Sequence, residues 1–240
     1  MSKISIVCPI YTMKGGLSEK FLVEYLSQFF YQTHRDIELV FSDQSDGDNL
    51  EKIIDTFRHL YDIKYVKNTS LVKNAANNVN HAIRQATGDI VKLLYMDDFF
   101  IDVSALQKID HAFNTQPGSW LIAGFGHCNQ DRTQFFNFKT PWYGNKYVNG
   151  DNTTGNPSNY AVRRECALEM DENLLWIVDG EYFYRSYYHY GDPIMISDVL
   201  VCFRDHGDSA FKRPELQELD AKERQYCVDK FSGKVDQKLI

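Results

Sequence analysis

The chain has 240 residues, 43% of them hydrophobic and 25% charged, with a formal net charge of -7 at pH 7. That length holds one buried core with an appendage, and the acidic balance leaves no overall electrostatic footprint for nucleic acid, although it is compatible with a local basic groove. No stretch approaches the roughly 18 uncharged apolar residues of a membrane helix, and the segment from Met1 to Ile10 lacks the basic start of a signal peptide, so a cytoplasmic protein is expected.

Ile4-Ser5-Ile6-Val7-Cys8 is a short apolar run ending at Pro9, which predicts a buried strand leading into a loop. Glu19 to Gln32 places Phe21, Leu22, Tyr25, Leu26 and Phe29 at helical spacing, with Ser18 available as N-cap. A second strand, Ile37 to Ser42, ends in the polar cluster Asp43-Gln44-Ser45-Asp46-Gly47-Asp48. A helix over about Leu50 to Leu60, a strand from Ile63 to Val66, a helix from about Asn74 to Gln85 closed by Gly88, and a strand from Ile90 to Tyr95 follow. Strand and helix alternating at this rhythm imply β-α-β crossovers, hence an α/β fold with a mostly parallel, Rossmann-like sheet flanked by helices. Ligands of such sheets bind beyond the carboxyl ends of the strands, so Pro9 to Thr12, Asp43 to Asp48 and Asp97-Asp98 should line one crevice.

From Asn129 to Asn159 the residues are polar and aromatic with no convincing period, which predicts a long loop region with room for short strands, contributing to the acceptor side. A helix from about Asp179 to Tyr190, a strand near Ile194 to Phe203 and a C-terminal helix from Pro214 to about Phe231 complete the chain. The five cysteines (Cys8, Cys128, Cys166, Cys202, Cys227) contain no C-x-x-C pair and read as buried free thiols.

Leu93-Leu94-Tyr95-Met96-Asp97-Asp98 puts two carboxylates directly after an apolar strand, where pointing either into the core would carry a large desolvation cost. Facing the crevice, they suit Mg2+ or Mn2+, which take one or two protein carboxylates and complete their shell with phosphate and water. The other reading of the pair is local, with Asp98 or Asp102 capping the helix that begins near Ser104.

These pieces, in this order, resemble the family 2 glycosyltransferases of the GT-A fold over most of the chain. Ile6-Val7-Cys8-Pro9-Ile10-Tyr11 is similar to that family's first strand and nucleotide site. Gln32-Thr33-His34-Arg35-Asp36-Ile37 through Asp43 is similar to its Gln-Thr segment and second strand, and Asn74 to Asp98 to its asparagine-containing helix and acidic metal motif. The resemblance implies a UDP-sugar donor and Mn2+ or Mg2+. It also implies that Pro9 and Tyr11 hold the base, that Asp43 accepts a hydrogen bond from it, and that Asp97 and Asp98 hold the metal and diphosphate, with Asn74 and Asn78 on the nucleotide side. Tyr11 is chemically able to stack and Asp43 to accept an imide hydrogen, while loop packing and a plain turn remain open for the two. The chain departs from the family where Tyr95 stands two positions before the acidic pair in place of an acid, and where Asn77 stands in place of an arginine. Lys73 is the expected substitute for that positive charge.

Val178-Asp179-Gly180-Glu181 resembles the family's Glu-Asp motif at a helix start and implies Asp179 as catalytic base, an N-cap being the other reading. Arg204-Asp205-His206-Gly207-Asp208 resembles the segment whose histidine reaches the metal or diphosphate, implying His206 as a further ligand; a surface-loop histidine is the alternative. Residues 1–128 then form a nucleotide-sugar half, 129–213 an acceptor and base half of the same domain, and 214–240 a C-terminal helix and tail. The expected activity is inverting transfer to an acceptor hydroxyl, most of all on a surface polysaccharide or lipopolysaccharide. A hydroxylated DNA base is the further acceptor considered, with Lys139, Lys146, Arg163 and Arg164 against the nucleic-acid backbone. A nucleotidyltransferase would carry a longer glycine-rich loop than Lys14-Gly15-Gly16, and a non-catalytic sugar or nucleotide binder would not need Asp179 opposite Asp97 and Asp98.

Overall fold

The computed structural model describes residues 1–144 and 152–232. In chain order the strands and α-helices are β1 Ile4–Ile10, α1 Leu17–Gln28, β2 Ile37–Asp43, α2 Asn49–Phe57, β3 Asp62–Lys67, α3 Ala75–Ile83 and β4 Ile90–Leu93. Then come β5 Phe99–Phe100, α4 Ala105–Thr115, β6 Trp120–Asn129, β7 Phe135–Lys139, β8 Tyr160–Arg163, α5 Val178–Tyr190, β9 Ile194–Asp205, α6 Pro214–Gln217 and α7 Asp220–Phe231. Among the described residues the nine strands make one sheet in the order β3-β2-β1-β4-β8-β6-β9-β5, with β7 pairing β6 off that path.

Strands β3, β2, β1 and β4 are all parallel, as helical crossovers require. The second half is mixed: β8 runs antiparallel to both β4 and β6, while β6 and β9 are parallel to each other. The period of two within β1 decides how the faces are covered. Ile4, Ile6 and Cys8 join Phe21, Leu22, Tyr25 and Phe41 on one side, and Val7 joins Val79, Leu93, Tyr182 and Phe183 on the other. Pro9 lies beyond Val7, the last residue of β1 in register with β4, and pairs only with Ser42 of β2. Between β6 and β9 the register slips at Gly124, where a Cβ would meet the Asp198 carbonyl oxygen at 2.6 Å, so the backbone approach there requires glycine.

Helix α1 begins before the predicted cap. Gly16, at φ 71°, is the N-cap, and Ser18 instead hydroxyl-bonds the Tyr11 carbonyl at 3.1 Å and accepts the Met13 amide. Part of the expected 129–159 loop is the strand β7, whose five residues are all exposed. With no covered face it carries no alternation for a sequence pattern to show. The C-terminal helix is broken in two, α6 and α7. Of the tail, residues 233–240 lie outside the described residues.

Candidate active site

The carboxyl ends of β1, β2 and β4 converge with the end of β9, and the acidic pair sits where the chain leaves the sheet. Leu94 makes the last sheet hydrogen bond, to the Val7 carbonyl at 3.0 Å, and the Asp98 amide then turns back to the Tyr95 carbonyl at 3.0 Å. Asp98 points inward: it is buried, and its carboxylate accepts from the Arg204 amide at 3.1 Å and the Asn156 side chain at 2.9 Å. Burial, with Asp97 adjacent, pushes its pKa up to about 7. Neither acid caps α4, whose N-cap is Ser104 with no side-chain cap bond; Asp102 accepts from the Ser104 amide at 2.7 Å in the turn before the helix.

Asp97 is the more open of the two acids, and its Oδ2 lies 2.9 Å from His206 Nε2. The Asp208 amide donates to His206 Nδ1 at 3.2 Å, so Nδ1 is unprotonated and Nε2–H donates to Asp97. A surface-loop role for His206 is thereby corrected, since the ring is buried edge-on against Phe21 at 5.2 Å. Among the described residues no three His, Cys, Asp or Glu side chains are grouped to hold a metal ion. Asp98 is engaged inward and His206 Nε2 carries a proton, which leaves Asp97 as the carboxylate open to the crevice.

The nucleotide-side residues divide. Tyr11 is half exposed, its phenol under the influence of Asp97, Arg213 and Asp208, and burial raises its pKa. Asp43 stands at the end of β2 as expected, but accepts from the Ser45 amide at 2.7 Å, Tyr65 Oη at 2.7 Å and Lys67 Nζ at 3.0 Å. A carboxylate has about four acceptor sites, so roughly one stays free for a base. Pro9 is buried within β1, and exposed Lys73 reaches the Gln44 carbonyl at 3.4 Å.

Asn74 and Asn78 build the wall of the crevice. Asn74 caps α3 by accepting from the Asn77 amide at 2.8 Å and donates to the Glu172 carbonyl at 2.9 Å. Buried Asn78 ties β1 to β2, donating to the Ile10 carbonyl at 3.0 Å and accepting from Ser42 at 2.7 Å. Both side chains are thus tied into the wall of the crevice.

Asp179 is the second residue of α5 and does not cap it: the N-cap is Ile177, with no side-chain cap bond. Among the described residues its carboxylate accepts no hydrogen bond, and burial pushes its pKa up to about 7. Tyr95 is the residue the sequence left without a role. Its amide is held by Ser158 Oγ at 2.9 Å, and its phenol is within electrostatic reach of Asp179, Asp98 and Asp97. Burial chiefly, and those acids, keep the phenol protonated. Also unforeseen is Lys92, fully buried, donating to the carbonyls of Leu93 at 2.8 Å, Tyr160 at 3.3 Å and Ser158. Burial pulls its pKa down to about 7. A charged residue inside Val91-Lys92-Leu93-Leu94 was the signal for it.

Of the cations considered for DNA, Arg163 and Arg164 lie away from the crevice. Arg163 pairs with Ile90 at the start of β4, the opposite end from Leu93. It donates to the carbonyls of Gly118 at 2.9 Å and Phe113 at 2.7 Å, and Arg164 donates to that of Gly88 at 2.9 Å. Lys139 ends the exposed β7, and Lys146 lies outside the described residues.

A sheet whose parallel half ends in an acidic turn, faced by a carboxylate at a helix start, is the GT-A architecture of glycosyltransferases. Residues 5–169, more than half of the chain, match the model of glycosyl transferase family 2, and the chain belongs to that family. Among curated proteins it is 25% identical over 135 residues to the GalNAc(5)-diNAcBac-PP-undecaprenol beta-1,3-glucosyltransferase of Campylobacter jejuni, spanning 55% of this chain and 42% of that protein. The fold is shared with S. aureus TarS 1-349 in complex with UDP-GlcNAc, at TM-score 0.75 and 16% identity over 98% of this chain and 68% of that one. It is shared also with the mannosyltransferase PcManGT of Pyrobaculum calidifontis in complex with GDP-Man and Mn2+, at TM-score 0.58 and 12% identity over 99% and 77%. No helix among the described residues is long and apolar enough to cross a membrane.

Proposed function

We propose that this glycosyltransferase moves a sugar from a UDP-sugar to a hydroxyl of a surface-type glycan with inversion, Asp179 acting as base. The observation that carries the reading is the group of acids whose charge reaches the Tyr95 phenol: Asp97, open to the crevice, and Asp179, which holds no structural hydrogen bond among the described residues. Tyr11 and the remaining acceptor site of Asp43 offer stacking and a hydrogen bond to a uracil base. Two relatives support the chemistry of donor and acceptor, since TarS is crystallised with UDP-GlcNAc and the C. jejuni protein is named for a glycan carried on undecaprenol diphosphate.

Asp179 takes the acceptor proton as the hydroxyl oxygen bonds to the anomeric carbon. The bond from that carbon to the diphosphate oxygen breaks, its electron pair leaving with UDP. Tyr95, kept protonated, donates a hydrogen bond within the crevice. Asp97, oriented by His206, would hold Mg2+ or Mn2+ together with diphosphate oxygens, a mode in which the protein supplies one or two carboxylates; the ion would neutralise the leaving charge. The test is calorimetry of UDP with Mn2+ and with chelator, followed by NMR of the anomeric configuration of the sugar released or transferred from UDP-GlcNAc and UDP-glucose. Binding that needs the ion and is lost in Asp97→Asn, with inverted product, is expected. Equal affinity in chelator, or retained configuration, would sink the respective claim.

A further inference from the structure

Helix α5 starts without a cap of its own, because Ile177 at its N-cap has no acceptor side chain. The backbone N–H groups leading into it are taken by one carboxylate from the far end of the chain. Glu223 of α7 accepts from Leu175 at 2.9 Å through Oε1, and from Trp176 at 2.9 Å and Ile177 at 3.0 Å through Oε2. It is 5% exposed, and a buried carboxylate is stable only with such charge-assisted bonds, favoured here by the positive end of the helix dipole. Two further contacts bind the same helices: Trp176 Nε1 donates to Asp220 at 3.0 Å, and Lys230 donates to Glu181 at 2.8 Å.

Asp179 follows Ile177 by two residues. The three amides that Glu223 holds belong to the residues immediately before the helix, so this carboxylate fixes where the first turn, with Asp179 in it, begins. We infer that Glu223 is a positioning residue for Asp179: it fixes the start of α5 through three amides and thereby sets where the Asp179 carboxylate stands. This rests on the reading of Asp179 as base. Glu223→Gln keeps the shape but turns an NH2 group toward N–H donors, so at least one of the three bonds is lost.

The experiment is a double-mutant cycle on UDP release from UDP-GlcNAc with water as acceptor, alongside UDP affinity by calorimetry. Glu223→Gln should lower kcat by about tenfold or more, since a misplacement of about 1 Å can cost about 10²-fold. Its UDP affinity should stay unchanged, and it should cause no further loss when Asp179 is already Asn. The same loss in the Asp179→Asn background, a fall in UDP affinity in step with kcat, or unchanged kcat would overturn the inference while leaving Asp179 as base. Unchanged turnover in Asp179→Asn alone would overturn the reading it rests on. Should Glu223→Gln fail to fold, Glu223→Asp, which keeps the charge at shorter reach, is taken through the same cycle with the same outcomes.

Discussion

Asp179 joins function to a cost in stability, because one burial produces both. With its pKa near 7, the fraction of ionised base rises with pH through that region, so kcat/KM should climb to a plateau with a midpoint near 7. Asp179→Asn should lower kcat by about 10²–10⁴ and abolish that limb. The sign for stability is opposite. The folded pKa lies above the unfolded value of 3.8, so the unfolded state gives up its proton first and folding loses stability as pH rises from about 4 to 7. Asp179→Asn should therefore match the parent in urea melts near pH 4 and exceed it near pH 8; a difference independent of pH would contradict the burial argument. That an acid stood here was legible in Val178-Asp179-Gly180. What holds the start of its helix was not, because that residue, Glu223, is 44 positions away.

At the scale of elements, the segment from Asn156 to Tyr160 brings Asn156 to Asp98 and Ser158 to Tyr95, and Lys92 of β4 fastens it from beneath through the carbonyls of Ser158 and Tyr160. Lys92→Met fills the space but leaves buried carbonyls unsatisfied, at a cost of roughly 1–3 kcal/mol for each one that finds no other donor. Destabilisation in urea together with reduced turnover is expected, and a Met variant equal to the parent in both would show the ammonium to be dispensable. The parallel half was legible because β1, β2 and β4 are largely apolar runs and the strands from β1 to β4 are separated by helices of period 3.6. The rest was less so. β6 contains Gly124 and Gly126 and bends its register against β9, β7 has no buried face, and β8 has four residues whose place between β4 and β6 is a long-range fact.

For the whole molecule, strand order decides whether the halves expected at 1–128 and 129–213 behave as units. β8 from the second half lies between β4 and β6 of the first, and β9 pairs along β6 through nine residues. Cutting at residue 128 would open both edges of β6 and one of β4, so neither half has a closed sheet of its own. The C-terminal helix belongs to the same body: Cys227 and Phe231 are buried in the cluster with Tyr182 and Phe183, and Phe231 meets Tyr184 ring to ring at 4.6 Å. We therefore propose that the two halves and the C-terminal helix fold as one cooperative domain. Phe231→Ala should cost about 3–5 kcal/mol, the usual loss for emptying a buried aromatic site. Because the sheet and α7 share one core, that loss should appear in a single unfolding transition followed by far-ultraviolet circular dichroism and by tryptophan fluorescence, which reports both Trp120 in β6 and Trp176 beside α7. Coincident curves shifted together are the expected result. A fluorescence transition that moves while the dichroism stays in place would show that α7 and the start of α5 unfold as a separate unit, and the base would then sit on a part of the molecule that opens independently of the nucleotide side.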